Sequence, residues 1–192
     1  EQVWMAENLN FNANGSKCGS VLTGDGFLVD DNTKACGTYG RLYDWATAMG
    51  FKSSCNSSNC FSGIGAKHRG VCPEGWHLPS DAEWLALTDF VGGSSTAGTK
   101  LKSKDGWNID SDYIPSTDNY GFAALPGGYG GLSIYTGYGV YFGGAGSSGN
   151  WWSATESSNG HAWYRRMSYR GAGVLRDFSD KYSLFSVRCI KD

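Results

Sequence analysis

The sequence predicts a loop-rich α+β domain stapled by three disulfides, with two short helices and short antiparallel strands. Three observations carry this reading. The chain of 192 residues holds 29 glycines, too many for long helices, because glycine disfavours a helix interior more than any residue except proline. Its six cysteines (Cys18, Cys36, Cys55, Cys60, Cys72 and Cys189) form an even set without the C-x2-C pairs of metal sites. Helical periodicity occurs only twice, each time briefly.

In chain order, residues 1–11 alternate weakly and read as an entering strand. A Gly/Asn/Asp-rich stretch follows to about residue 38, with turn signals at Asn14-Gly15 and Asp25-Gly26. Leu42, Trp45, Ala46 and Met49 then fall at helical spacing, and Gly50 stops them. A polar loop over 52–70 contains the close pair Cys55 and Cys60. Ser80, with Glu83 three residues on, makes a capping box; Trp84, Leu87, Thr88 and Val91 line one face of the helix, and Gly92-Gly93 end it. From residue 94 the pattern is of glycine-punctuated short strands, with a tract rich in Gly, Tyr and Ser over 127–149. Neither a repeat nor a linker interrupts the chain, so 1–192 reads as a single domain.

The composition excludes several function classes. A formal net charge of −2 offers no attraction to nucleic acid or an anionic membrane. No run of about 18 apolar residues is present, so no membrane insertion is expected. The sequence starts at Glu1 without a methionine or a signal peptide, and is expected to be a trimmed mature segment. Disulfides require an oxidising compartment, which predicts a secreted or bacterial cell-surface location. Six cysteines allow fifteen connectivities; chain order suggests Cys18–Cys36, Cys55–Cys60 and Cys72–Cys189. The last pair would contribute roughly 4–5 kcal/mol in the chain-entropy model.

The C-terminal stretch carries the binding hypothesis. Along 163–170 one parity takes Trp163, Arg165, Met167 and Tyr169, the other Tyr164, Arg166, Ser168 and Arg170. Beyond Gly171, Leu175 and Asp177 continue the outward set, with Phe178 and Asp180 in the next turn. Tyr164, Arg166, Ser168, Arg170, Leu175, Asp177, Phe178, Asp180 and Tyr182 are therefore the expected ligand-binding face. Such mixtures of tyrosine, arginine and exposed apolar residues are typical of contact surfaces.

Six segments occur in an order that resembles a known family: Trp4-Met5-Ala6-Glu7-Asn8-Leu9, Gly40-Arg41-Leu42-Tyr43-Asp44-Trp45, Cys72-Pro73-Glu74-Gly75-Trp76-His77-Leu78-Pro79-Ser80, Leu125-Pro126-Gly127-Gly128, Trp151-Trp152-Ser153-Ala154-Thr155-Glu156 and Ser186-Val187-Arg188-Cys189. Together they resemble the Fibrobacter succinogenes major paralogous domain along essentially the whole chain. That resemblance implies a C-type-lectin-like fold, related to formylglycine-generating enzymes, on secreted or surface-anchored bacterial proteins. Within it, Trp163, Arg165, Met167, Tyr169, Ala172, Val174, Arg176 and Lys181 are spaced as in proteins diversified by retroelements. Such systems keep a framework constant and randomise the residues between. Here those are Tyr164, Arg166, Ser168, Arg170, Gly171, Gly173, Leu175, Asp177, Phe178, Ser179, Asp180, Tyr182 and Ser183.

The expectation is a monomer that binds a protein or glycan ligand on another surface. A structural pilus or envelope subunit is the alternative, and a formylglycine-generating-type enzyme a further one. The enzyme reading meets an obstacle, because Cys189 stands alone near the last strand and a thiol locked in a disulfide does not attack. His68, His77 and His161 lack HExxH spacing, and no GxSxG elbow occurs. His77 reads as a packing residue and His161 as turn-exposed. Gly144 to Gly149 match GxGxxG, but a strand pattern follows where a phosphate site needs a helix. No cofactor is expected apart from possible calcium, for which Asp30, Asp31 and Asn32, or Asp110, Asp112 and Asp118 with Asn108 and Asn119, supply oxygens. Most tryptophans belong to the core; Trp107, in a polar loop, is the candidate for exposure.

Overall fold

The computed structural model describes residues 1–22, 28–29, 33–60, 65, 67–133 and 139–192. The chain runs β1 (Lys17–Cys18), β2 (Val21–Leu22), β3 (Leu28–Val29), α1 (Thr33–Tyr39), β4 (Arg41–Tyr43), α2 (Trp45–Met49), a 3-10 turn (Ser53–Asn56), β5 (Trp76–His77), α3 (Asp81–Phe90) and α4 (Ala97–Leu101). The strands β6 (Gly127–Ser133), β7 (Gly139–Ala145), β8 (Ser148–Ser158), β9 (His161–Ser168), β10 (Leu175–Asp180), β11 (Phe185–Ser186) and β12 (Ile190–Lys191) complete it. The main sheet is ordered β1-β4-β11-β8-β6-β7, with β9 on β8 and β10 outermost on β9.

The mixed α+β class stands, with two corrections. Strand β8 meets both β11 and β6 in parallel, so the sheet is mixed. Four helices occur among the described residues instead of two. One, α1, lies in the tract read as irregular; the disulfide Cys18–Cys36 ties it to β1. Residues 1–11 are not a strand, although Trp4 bridges Ile190, and Met5 and Leu9 donate to the Cys189 and Val187 carbonyls.

Leu42 sits in β4, two residues before the N-cap of α2. Asp44 caps that helix by accepting from the Thr47 amide at 2.8 Å, and Gly50 closes it at φ 68°, where a side chain is disfavoured. The capping box of α3 forms as the spacing predicts: Ser80 Oγ accepts from the Glu83 amide and the Glu83 carboxylate accepts from the Ser80 amide. Trp84, Leu87, Thr88 and Val91 are all buried.

Strand β8 organises the core. Neighbouring strand residues point to opposite faces, so Trp151 enters the cluster with Trp84, Leu101, Met167 and Val174, while Trp152 enters the one with Tyr43, Trp45, Phe185 and Val187. Each indole is buried and each N–H is satisfied, by Asn8 Oδ1 and the Tyr43 carbonyl respectively. Asn8 Oδ1 also accepts from the guanidinium of buried Arg188, and Asn8 Nδ2 donates to the Tyr39 carbonyl. Residues from three distant segments of the sequence thus meet at one amide. The remaining disulfides are Cys55–Cys60 and Cys72–Cys189, as chain order suggested. Among the described residues no helix is long and apolar enough to cross a membrane.

Candidate functional site

The expected binding residues lie on the ribbon formed by β9 and β10 and on its flanks. Its antiparallel register sets Trp163 opposite Phe178, Tyr164 opposite Asp177, and Arg166 opposite Leu175. Opposed residues share a face, so the nine residues do not form one surface. Tyr164, Arg166, Ser168, Leu175 and Asp177 belong to one wall. Phe178 and Asp180 belong to the other, with Trp163, Arg176 and His161. Arg170 lies in the turn after β9, and Tyr182 lies beyond β10. A single outward set cannot run through Leu175 and Asp177 into Phe178 and Asp180, because all four belong to one strand whose side chains alternate between its faces.

Phe178 is exposed and meets Trp163 and His161 edge-on at centroid distances of 5.8 and 5.7 Å. The Arg176 guanidinium lies 3.4 Å over the Trp163 ring. Neither Trp163 nor Arg176 was placed in the binding set, although their shared parity within facing strands would have grouped them. Tyr164 also departs from expectation: it is half-buried against Phe185, at 4.7 Å, and Trp152, and burial raises its phenol pKa above the ordinary value. It is part of the core's edge as well as of the wall.

The framework residues lock the ribbon from within. Arg165 is buried and donates to the Asp81 carboxylate at 2.7 Å and to the Asp81 carbonyl at 3.0 Å. Arg176 Nε donates to both oxygens of the same carboxylate at 3.0 Å. Burial works to raise the Asp81 pKa, but the hydrogen bonds and charges of Arg176 and Arg165 outweigh it and hold the carboxyl below its usual range. Met167 and Val174 enter the core. Lys181 is fully buried; its ammonium donates to the carbonyls of Cys55, Ser58 and Asn159 and to Glu156, over the Trp45 ring. The turn after β9 is held by Lys102, whose ammonium donates to the carbonyls of Ile114, Ser168 and Gly171, each at 3.1 Å. Burial pushes this lysine down to about 8.

Of the thirteen intervening residues none is buried; all are half-buried or exposed. Among the described residues no strand pairs with the outer edge of β10, and such an edge is a template for unwanted pairing. Asp177 Oδ1 blunts it by accepting from the Phe178 amide at 2.8 Å.

The three aspartates proposed for calcium are otherwise engaged. Arg170 donates to Asp110 at 2.7 Å and pairs with Asp112 at 3.4 Å, and its hydrogen bond keeps the Asp110 carboxyl below the usual range. Asp118 accepts from the Ala123 amide, and Asn108 donates to Ser147 Oγ. Among the described residues no group of three His, Cys, Asp or Glu could hold a metal ion. Asp30, Asp31 and Asn32 lie outside the described residues.

Trp107 is buried rather than exposed: its N–H donates to Ser103 Oγ and the Ala124 carbonyl. His77 is a buried packing residue whose ring nitrogens lie 2.8 Å from Glu83 and Asp192 carboxylate oxygens, and His161 is exposed. Strand β8 begins at Ser148, within Gly144 to Gly149, so that glycine motif has no helix to complete it. A groove of about 530 Å³ lies between the N-terminal segment and α3, with Trp4, Leu87, Phe90, Tyr120 and Phe122 among its lining.

These features define a disulfide-stapled α+β domain with an accessible C-terminal ribbon held by buried cations. The chain belongs to the Fibrobacter succinogenes major domain family, whose family model matches residues 1–191. No curated protein and no solved structure matches the chain.

Proposed function

We propose that this is an extracellular recognition domain with a C-type-lectin-like fold, secreted or held at a bacterial surface, which binds a protein or glycan through the β9–β10 ribbon. The ribbon's side chains are varied by a retroelement. One observation carries the reading. Four of the eight framework residues, Arg165, Met167, Val174 and Lys181, are buried, whereas none of the thirteen residues interleaved with the framework is. An ordinary solvated strand has no need of two arginines on one carboxylate and a lysine with four oxygen partners beneath it. Three disulfides are consistent with folding in an oxidising compartment.

The test is a glycan and cell-surface protein array probed with the pure domain, followed by the variant Leu175→Ser/Tyr182→Ser. Both side chains are exposed, at 50% and 40%. Array binding is expected to fall while the melting temperature stays nearly constant, since exposed substitutions commonly change stability by about 0.5 kcal/mol or less. Undiminished binding by a folded variant would overturn the proposal.

A further inference from the structure

The four arginines of the ribbon divide three to one. Arg165 and Arg176 are bound to Asp81, and Arg170 to Asp110 and Asp112. Arg166 is exposed, and among the described residues it forms no ion pair with a carboxylate. It stands beside a hollow of about 310 Å³ lined by Ser94, Ser168, Gly171, Gly173, Val174 and Leu175 as well as by Arg166 itself. A guanidinium presents its donors as a fork that matches a carboxylate. The two serines supply hydroxyls that donate and accept. Val174 and Leu175 add an apolar surface, and Gly171, where a Cβ would meet nothing nearer than 3.7 Å, leaves the space open.

We infer that this hollow binds a sugar acid: one pyranose ring with its carboxylate on Arg166, its hydroxyls on Ser94 and Ser168, and its apolar face on Leu175. The inference rests on the recognition reading of the ribbon and names the ligand class. The volume lies at the lower end of the range for small-molecule sites, roughly 300–1,000 Å³. It suits a single ring. The carboxylate side chain of a protein partner would leave most of it empty. Asp177, on the same wall, would oppose an anion, but its carboxylate is turned to the Phe178 amide at the strand edge.

The experiment is an NMR titration of the ¹⁵N-labelled domain with sodium glucuronate, with glucose and sodium acetate run in parallel. Saturable shifts are expected at the amides of Ser168, Gly171 and Gly173 with glucuronate, and much weaker ones with glucose or acetate. Arg166→Gln should weaken glucuronate binding about 10–100-fold, the worth of a charge-assisted hydrogen bond. Lys191→Gln removes an equal, exposed charge on β12, outside the hollow and the ribbon, and should leave the affinity within about twofold, as expected for a screened surface charge. Absent or displaced shifts, acetate binding as tight as glucuronate, or an unaffected Arg166→Gln variant would each overturn the inference. Should glucuronate fail while array binding still depends on Leu175 and Tyr182, the sugar-acid assignment falls alone. Should array binding ignore those residues, the recognition reading falls whatever glucuronate does.

Discussion

A methyl group added at residue 173 should destabilise the fold, and one added two residues earlier should not. Residues 172–174 lie against the segment that leads into α4: Val174 donates to the Ser94 carbonyl at 2.7 Å, and Thr99 donates to the Ala172 carbonyl at 2.9 Å. A Cβ on Gly173 would sit 2.5 Å from Ser94 O and 3.2 Å from Ser95 O, against backbone pinned by these bonds. A Cβ on Gly171 would meet nothing nearer than Ser168, at 3.7 Å, which is ordinary contact. Overpacking of this kind costs about 1–3 kcal/mol. In a chain of 192 residues each kcal/mol moves the melting temperature by roughly 2–4 °C, so Gly173→Ala should melt about 2–12 °C lower. Gly171→Ala should be neutral, or stabilised by up to about 1 kcal/mol through the lost freedom of its unfolded chain. Urea unfolding followed by tryptophan fluorescence, with calorimetry in parallel, measures both. Equal stability of Gly173→Ala and wild type, or an equal loss in both variants, would refute the argument. The same geometry excludes residue 173 from free variation, although the spacing of the framework places it among the varied residues.

Asp81→Asn leaves the buried Arg165 guanidinium without a counter-charge and should cost about 3–5 kcal/mol in urea unfolding. Because the Asp81 pKa is lowered on folding, its contribution is fully present above the ordinary carboxylate value of about 4 and disappears as pH falls through the lower folded value. The wild-type loss of stability in acid should accordingly be steeper than that of the variant. Replacing Cys72 and Cys189 together with alanine opens a loop with a sequence separation of 117 and should cost about 4–5 kcal/mol in the chain-entropy model. Opening Cys55–Cys60, with a separation of 5, should cost about 2 kcal/mol by the same model. Equal drops in melting temperature would contradict this ordering.

Signals that depend on neighbours in the chain were legible in the sequence. Ser80 and Glu83 are three residues apart, so their reciprocal caps needed no tertiary knowledge, and the cysteine pairs followed chain order. What depends on register or on long-range closure was not. Leu42 mimicked the first turn of a helix because its burial comes from strand β4, whose neighbours are β1 and β11. Asp44, with Thr47 at the N3 position, was the local sign that the helix starts later. Trp107 looked exposed among polar residues, yet its polar neighbour Ser103 accepts the indole N–H. The binding residues were found as a segment but not as surfaces, since nothing in a single strand tells which residue of the next will face it. Buried Lys102 and Arg188 show a related limit: their partners are mainly carbonyls, which every sequence has everywhere.

The ribbon's two walls alternate residue by residue along each strand. Exchanging Arg166 or Leu175 rewrites the chemistry of one side, while Phe178, Trp163 and Arg176 on the reverse keep theirs. Under the proposed recognition role, a change on one side would leave the chemistry of the other as it stood.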